Sequence, residues 1–72
     1  MLIKSRSHEV WFNVKGGKKV GLLARVPELL RLDLISAGPG FVPEDLNKWL
    51  YLEKSGRCTE YSTREEAEAA LA

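Results

Sequence analysis

The last third of the chain sets the tightest limit on its fold. From Trp49 to Ala67 the sequence reads as strand, tight turn, strand and then a helix. Ser62 followed three residues later by Glu65 has the form of a capping box, in which the hydroxyl accepts from one orphan backbone N–H and the carboxylate reaches back to another. The pattern predicts a helix from about Thr63. This ββα unit supplies architecture and no chemistry, because it holds no paired acid and base, no ligand cluster and no phosphate loop.

Size narrows the rest. The chain has 72 residues, enough for one domain, and a domain of this length buries only about 60% of the surface its unfolded chain exposes. With 44% hydrophobic residues, two Trp, two Tyr and two Phe, it lies far from the composition of disordered chains. The single Cys58 rules out an intramolecular disulfide, and with His8 as the one imidazole there is no Cys and His ligand set for zinc. Neither metal nor cofactor is implied. No apolar run reaches the roughly eighteen residues of a membrane span, and Met1-Leu2-Ile3 gives way at once to Lys4, Ser5 and Arg6, so no membrane partner is expected and the expected location is the cytoplasm. Monomer and small oligomer both remain open.

Charge is unevenly placed. Residues 1 to 36 carry seven Lys and Arg against three Asp and Glu, and residues 37 to 72 carry four against seven, so the halves stand at +4 and −3. Such asymmetry either steers the protein onto a complementary partner or cancels within the fold.

Residues 1–9 read as a basic arm before a single domain over 10–72. If this stretch is extended, side chains alternate and Lys4, Arg6 and His8 line one edge. Then comes a hairpin: Val10 to Val14 and Lys19 to Leu23 flank Gly16-Gly17, which supply the positive φ of a two-residue turn. The simplest register opposes Asn13 to Val20, Phe12 to Gly21 and Trp11 to Leu22. It places Val10, Phe12, Val14 and Leu23 on one face and Trp11, Val20 and Leu22 on the other. A small domain readily covers one such face with a helix and rarely both, so Trp11 is either wrapped core or an exposed anchor. The tip clusters Lys15, Lys18 and Lys19.

Residues 27–37 are ambiguous. Pro27 and Gly38 suit a helix, but Leu30, Leu32 and Leu34 alternate with Arg31 and Asp33, and on that pattern we read a strand. Gly38-Pro39-Gly40 breaks the chain. Pro43 to Lys48 suits a short helix before Trp49, with acids in its first turn. In the strand that follows, Leu50 and Leu52 are the expected core residues. Ala67, Ala70 and Leu71 give the last helix a narrow apolar stripe. The fold expected is α+β, an antiparallel sheet of three to four strands with a short helix before Trp49 and a C-terminal helix.

Chemistry is absent from the pattern. His8 has no plausible nucleophile beside it, Cys58 in a strand reads as a buried small hydrophobe, and Glu44-Asp45 and Glu65-Glu66 are accounted for by helix dipoles. The protein reads as a non-enzymatic binder. Lys4, Arg6, Lys15, Lys18, Lys19 and Arg25 with Trp11 and Phe12 interleaved would suit phosphates and bases, although the near-neutral total is unlike domains that live on counterion release.

Two resemblances bear on the partner. The segment Ser62-Thr63-Arg64-Glu65-Glu66-Ala67, entered from a strand, resembles the strand-to-helix junction of the small arm-binding domains of phage integrases, which implies nucleic-acid binding. The Arg/Lys-rich sheet face of those domains is missing between Trp49 and Tyr61. The whole chain, in its length, basic N-terminal arm and ββ plus ββα layout, resembles short phage-encoded regulators that bind host RNA polymerase in lytic phages of hosts such as Xanthomonas. That resemblance implies a transcription regulator that docks on the polymerase and alters initiation or termination. The contact residues expected from the residue pattern are Lys4, Arg6, His8, Trp11, Lys15, Lys18 and Lys19. A small nucleic-acid-binding domain using the arm and hairpin tip is the alternative.

Overall fold

The computed structural model describes residues 1–35 and 46–71. It is an α+β domain with one five-stranded antiparallel sheet in the order β1 (Leu2–Lys4), β2 (Val10–Lys15), β3 (Lys18–Arg25), β4 (Trp49–Glu53), β5 (Cys58–Tyr61). Helix α1 (Val26–Arg31) leaves β3 without a break, and α2 (Arg64–Leu71) follows β5. The sheet has more strands than expected because the N-terminal segment joins it. Leu2, Ile3 and Lys4 pair with Asn13, Phe12 and Trp11, so the expected arm contributes an edge strand.

The β2–β3 turn is the one the glycines predict. Gly16 and Gly17 sit at φ 58° and 76°, and a turn with both central residues at positive φ matches the twist of the flanking strands. Lys15 opposes Lys18 and Val14 opposes Lys19, but a bulge follows, and from Asn13 onward the partners are Gly21, Leu22, Leu23 and Ala24. Val20 is the extra residue. One added residue reverses every later side chain, so the expected faces are corrected: Leu22 joins Val10 and Phe12, and Leu23 joins Trp11.

Both faces are covered, contrary to the one-sided expectation. On one side Val10, Ala24 and Leu29 are buried, with Phe12, Leu22, Leu32, Ile35, Leu50 and Leu52 packed around them. On the other, Leu23, Tyr51 and Ala67 are buried among Leu2, Trp11, Trp49, Tyr61 and Leu71. Tyr51, rather than its neighbours Leu50 and Leu52, is the buried residue of β4. It opposes Leu23 and stands over Gly21, where the lack of a Cβ leaves room for the phenol ring. Its hydroxyl accepts from Asn13 Nδ2 at 3.0 Å, and Asn13 Oδ1 accepts from the Met1 amine at 3.1 Å. Asn13 is thus satisfied although only 1% exposed.

The strand expected over residues 27–37 is a helix in its first part. Pro27 lies in the first turn with Glu28, and Arg31 lies in the last, each where the helix favours it. Val26 and Leu29, three apart, are the buried pair. The leucine alternation misleads because Leu34 is not a core residue; it is 46% exposed. The helix ends in a Schellman motif, with Asp33 at φ 58°, Asp33 N–H donating to Leu30 C=O at 3.2 Å and Leu34 N–H to Leu29 C=O at 2.9 Å. The expected stop, Gly38, lies outside the described residues, as does the Pro43–Asp45 part of the short helix expected before Trp49. Leu46 and Asn47 form a 3₁₀ turn, and Lys48 C=O accepts from Val26 N–H at 3.2 Å, tying the return of the chain to the start of α1.

In α2 the cap moves by one residue. Glu66 N–H donates to Thr63 Oγ1 at 3.1 Å and the helix starts at Arg64, so the N-cap is Thr63 rather than Ser62. Ala67 is buried, Leu71 half-buried and Ala70 exposed. Neither helix is long and apolar enough to cross a membrane.

Candidate functional site

Antiparallel pairing sends β2 and β4 out of the sheet at the same end as the first hairpin turn, and this separates the expected contact residues into two groups. Lys4, Arg6, His8 and Trp11 lie at one end of the sheet, Lys15, Lys18 and Lys19 at the other. Four strand steps between Trp11 and Lys15 make about 13 Å. They do not form one surface.

At the first end one member of the expected basic stripe, Lys4, is answered by an acid. Lys4 pairs with Glu9 at 3.5 Å on the surface, where such pairs contribute little, and Arg31 pairs with the largely buried Glu28 carboxylate. His8 Nδ1 meets Arg31 Nη2 at 3.3 Å. Arg6 is exposed in the β1–β2 connection. Together with Glu28 these groups surround a polar hollow of about 190 Å³.

Beside it Trp11 packs edge-to-face on Trp49, with ring centroids 5.3 Å apart and planes at 66°, a favoured aromatic geometry. The Arg64 guanidinium lies 5.4 Å from the Trp11 centroid and Lys4 Nζ 5.8 Å. Trp11 is half-buried, neither fully wrapped nor free, and its exposed part lines a groove of about 440 Å³ shared with Trp49, Arg25, Arg64, Glu9 and Glu28. The cause is local. Arg25 opposes Trp49 in the sheet, and α2 begins at Arg64 beside Trp11, leaving the tryptophans open toward the start of α1. Arg64 is committed to Glu68 at 3.0 Å and Glu65 at 3.5 Å. Arg25 is exposed and pairs with no carboxylate among the described residues.

Trp49 was not among the expected contact residues, and Arg25 was expected only as a cation suited to phosphates. Trp49 shares a strand face with Tyr51 in the sequence, but only the β3–β4 register brings it to Arg25, and register across a long connection has no local signal.

At the opposite end, Lys15, Lys18 and Lys19 are exposed around the first turn, with Lys19 Nζ 4.2 Å above the Phe12 ring. Gly21 opposes Glu53, so the β4–β5 turn, with Lys54 and Arg57, lies at this same end. An apolar hollow of about 270 Å³ opens nearby, walled by Phe12, Leu22, Leu34 and Leu52 with Lys19 and Lys54 at its rim.

Cys58 is exposed on edge strand β5, where a buried small hydrophobe was expected. Partial desolvation, then the Glu60 carboxylate, push its thiol above the ordinary range, which disfavours the reactive thiolate. Among the described residues no three His, Cys, Asp or Glu side chains gather as a metal site would need. Comparison with protein-family models, curated proteins and solved structures returns no match.

Proposed function

We propose that the protein is a non-enzymatic binding module whose Trp11–Trp49 groove docks on a protein partner, as a regulator of transcription in the cytoplasm. The observation that carries this reading is the groove itself: two tryptophans with half-open faces, framed by charges of both signs. Buried aromatic and Arg anchors supply much of the energy of protein interfaces. Mixed charge suits a protein segment better than a polyanion, because Glu9 and Glu28 would repel phosphates. Arg25, unpaired among the described residues, calls for an acid beside the apolar group that enters between the rings.

The resemblance to short phage regulators makes host RNA polymerase the partner to test, with altered initiation or termination as the consequence. The tagged protein is incubated with Xanthomonas RNA polymerase, treated with nuclease and recovered. Retention of polymerase after nuclease supports the reading. Loss of polymerase with nuclease, or no retention at all, removes polymerase docking as the function.

A further inference from the structure

We propose that the sheet end opposite the tryptophan groove is a second site, one that binds the phosphodiester backbone of a nucleic acid through Lys15, Lys18 and Lys19 on the first turn with Lys54 and Arg57 on the second. Two turns far apart in sequence deliver five exposed cations to one end of one sheet. Lys15 and Lys18 oppose each other directly, an arrangement that costs a hairpin stability and that a polyanion would relieve. None of Lys15, Lys18, Lys54 and Arg57 pairs with a carboxylate among the described residues. Among the described strand residues, Glu53 is the acid at this end.

The geometry fits a backbone. The hairpins are adjacent, so their centres lie two strand spacings apart, about 10 Å, or about three base-pair steps at 3.4 Å per phosphate on one strand. The turns carry Gly16, Gly17 and Gly56, and nothing lies within 4 Å of where their Cβ atoms would be, so a phosphate can come close to the turn backbone at Gly16 and Gly17 as well as to the side chains, while the Gly56 N–H is held by Glu53 C=O. Lys18 and Arg25 begin and end β3, seven steps or about 23 Å apart. A nucleic acid at the turns and a protein in the groove can therefore bind together. The site rests on a different observation from the groove and does not depend on it.

Fluorescence anisotropy with a labelled mixed-sequence DNA of about 20 nucleotides, single-stranded and duplex, measured from about 25 to 200 mM NaCl, tests it. Five phosphate contacts give a log–log salt slope near −4.5 on duplex. The double variants Lys15→Gln with Lys18→Gln and Lys54→Gln with Arg57→Gln each make the slope less negative by about 2, while Arg25→Glu leaves it unchanged. Circular dichroism confirms that these surface variants keep the fold. No binding to either DNA at the lowest salt overturns the proposal, and so does a slope that neither turn variant alters. Loss of polymerase retention with these slopes intact overturns the groove reading instead.

Discussion

Gly21→Ala is the substitution through which the core is most open to test. A Cβ at Gly21 would stand 2.6 Å from Tyr51 Cε1 and closer still to Cζ and Oη. Tyr51 cannot swing away cheaply, since it is 3% exposed and packed with Leu23 and Ala67. Forcing an extra methyl into such a site costs about 1–3 kcal/mol. Displacing the phenol also breaks its bond from Asn13, and a buried amide left unsatisfied costs about 1–3 kcal/mol more. The stiffer unfolded chain returns about 0.4–1 kcal/mol. The net loss is about 3 kcal/mol, within a range of about 1–5.6 that these terms allow, a large share of the roughly 4–10 kcal/mol that a domain of this size commands. Urea unfolding followed by far-UV circular dichroism should show the midpoint falling at constant m-value, and the melting temperature should drop by at least about 10 °C. In a Tyr51→Leu background the same change should cost at least about 1.5 kcal/mol less, because the ring it strikes is gone. A Gly21→Ala protein within about 0.5 kcal/mol of the parent would refute the close packing of Tyr51 on β3.

Thr63→Ala should destabilise by about 1 kcal/mol and lower the melting temperature by several degrees, whereas Ser62→Ala should leave the curve in place; the reverse ranking would return the cap to Ser62. Asp33→Gly should stabilise by about 0.5 kcal/mol, since glycine holds the left-handed C′ position without a Cβ, and a destabilised variant in urea would contradict the Schellman end of α1. Alkylation of Cys58 by iodoacetamide should be slower in the folded protein than in urea at pH 8, because burial and then Glu60 raise its thiol. The native state holds that proton more tightly than the unfolded chain, so the contribution to stability is present below the ordinary thiol range and lost as pH climbs through the raised value. Glu60→Gln should restore part of the rate, and equal rates in both states would show the thiol to be unperturbed.

The elements visible in the sequence are those with local physics behind them. Gly16-Gly17 specifies its turn because few residues tolerate positive φ twice in succession, and the strand, turn and strand from Trp49 to Tyr61 form as expected. What the sequence conceals is non-local. The bulge at Val20 reverses the faces of β3, yet Val20 fits a regular strand as well as an irregular one. In residues 27–35 a period-two pattern and helix-end signals compete, and the helix prevails because Val26 and Leu29 reach the core while Leu34 needs no partner there. Lys4, Arg6 and His8 are legible as a polar stripe, but the pairing of Lys4 with Glu9 and the contact of His8 with Arg31 depend on the pairing of β1 and the position of α1. Of the groove, Trp11 and Arg25 were visible; Arg25 comes beside Trp11 through the β2–β3 pairing, and Trp49 joins them only through the β3–β4 register.

The central claim is that the Trp11–Trp49 groove docks on a protein, and the most direct measurement is the affinity of the parent and of Arg25→Glu for immobilised Xanthomonas RNA polymerase by biolayer interferometry. Arg25 is exposed and unpaired among the described residues, so its reversal should leave the melting curve unchanged and isolates the groove from the fold. The account predicts binding by the parent and at least about tenfold weaker binding by the variant, on the scale of a charge facing the wrong sign in an interface. Equal affinity for the two proteins, or no binding by the parent, would contradict it.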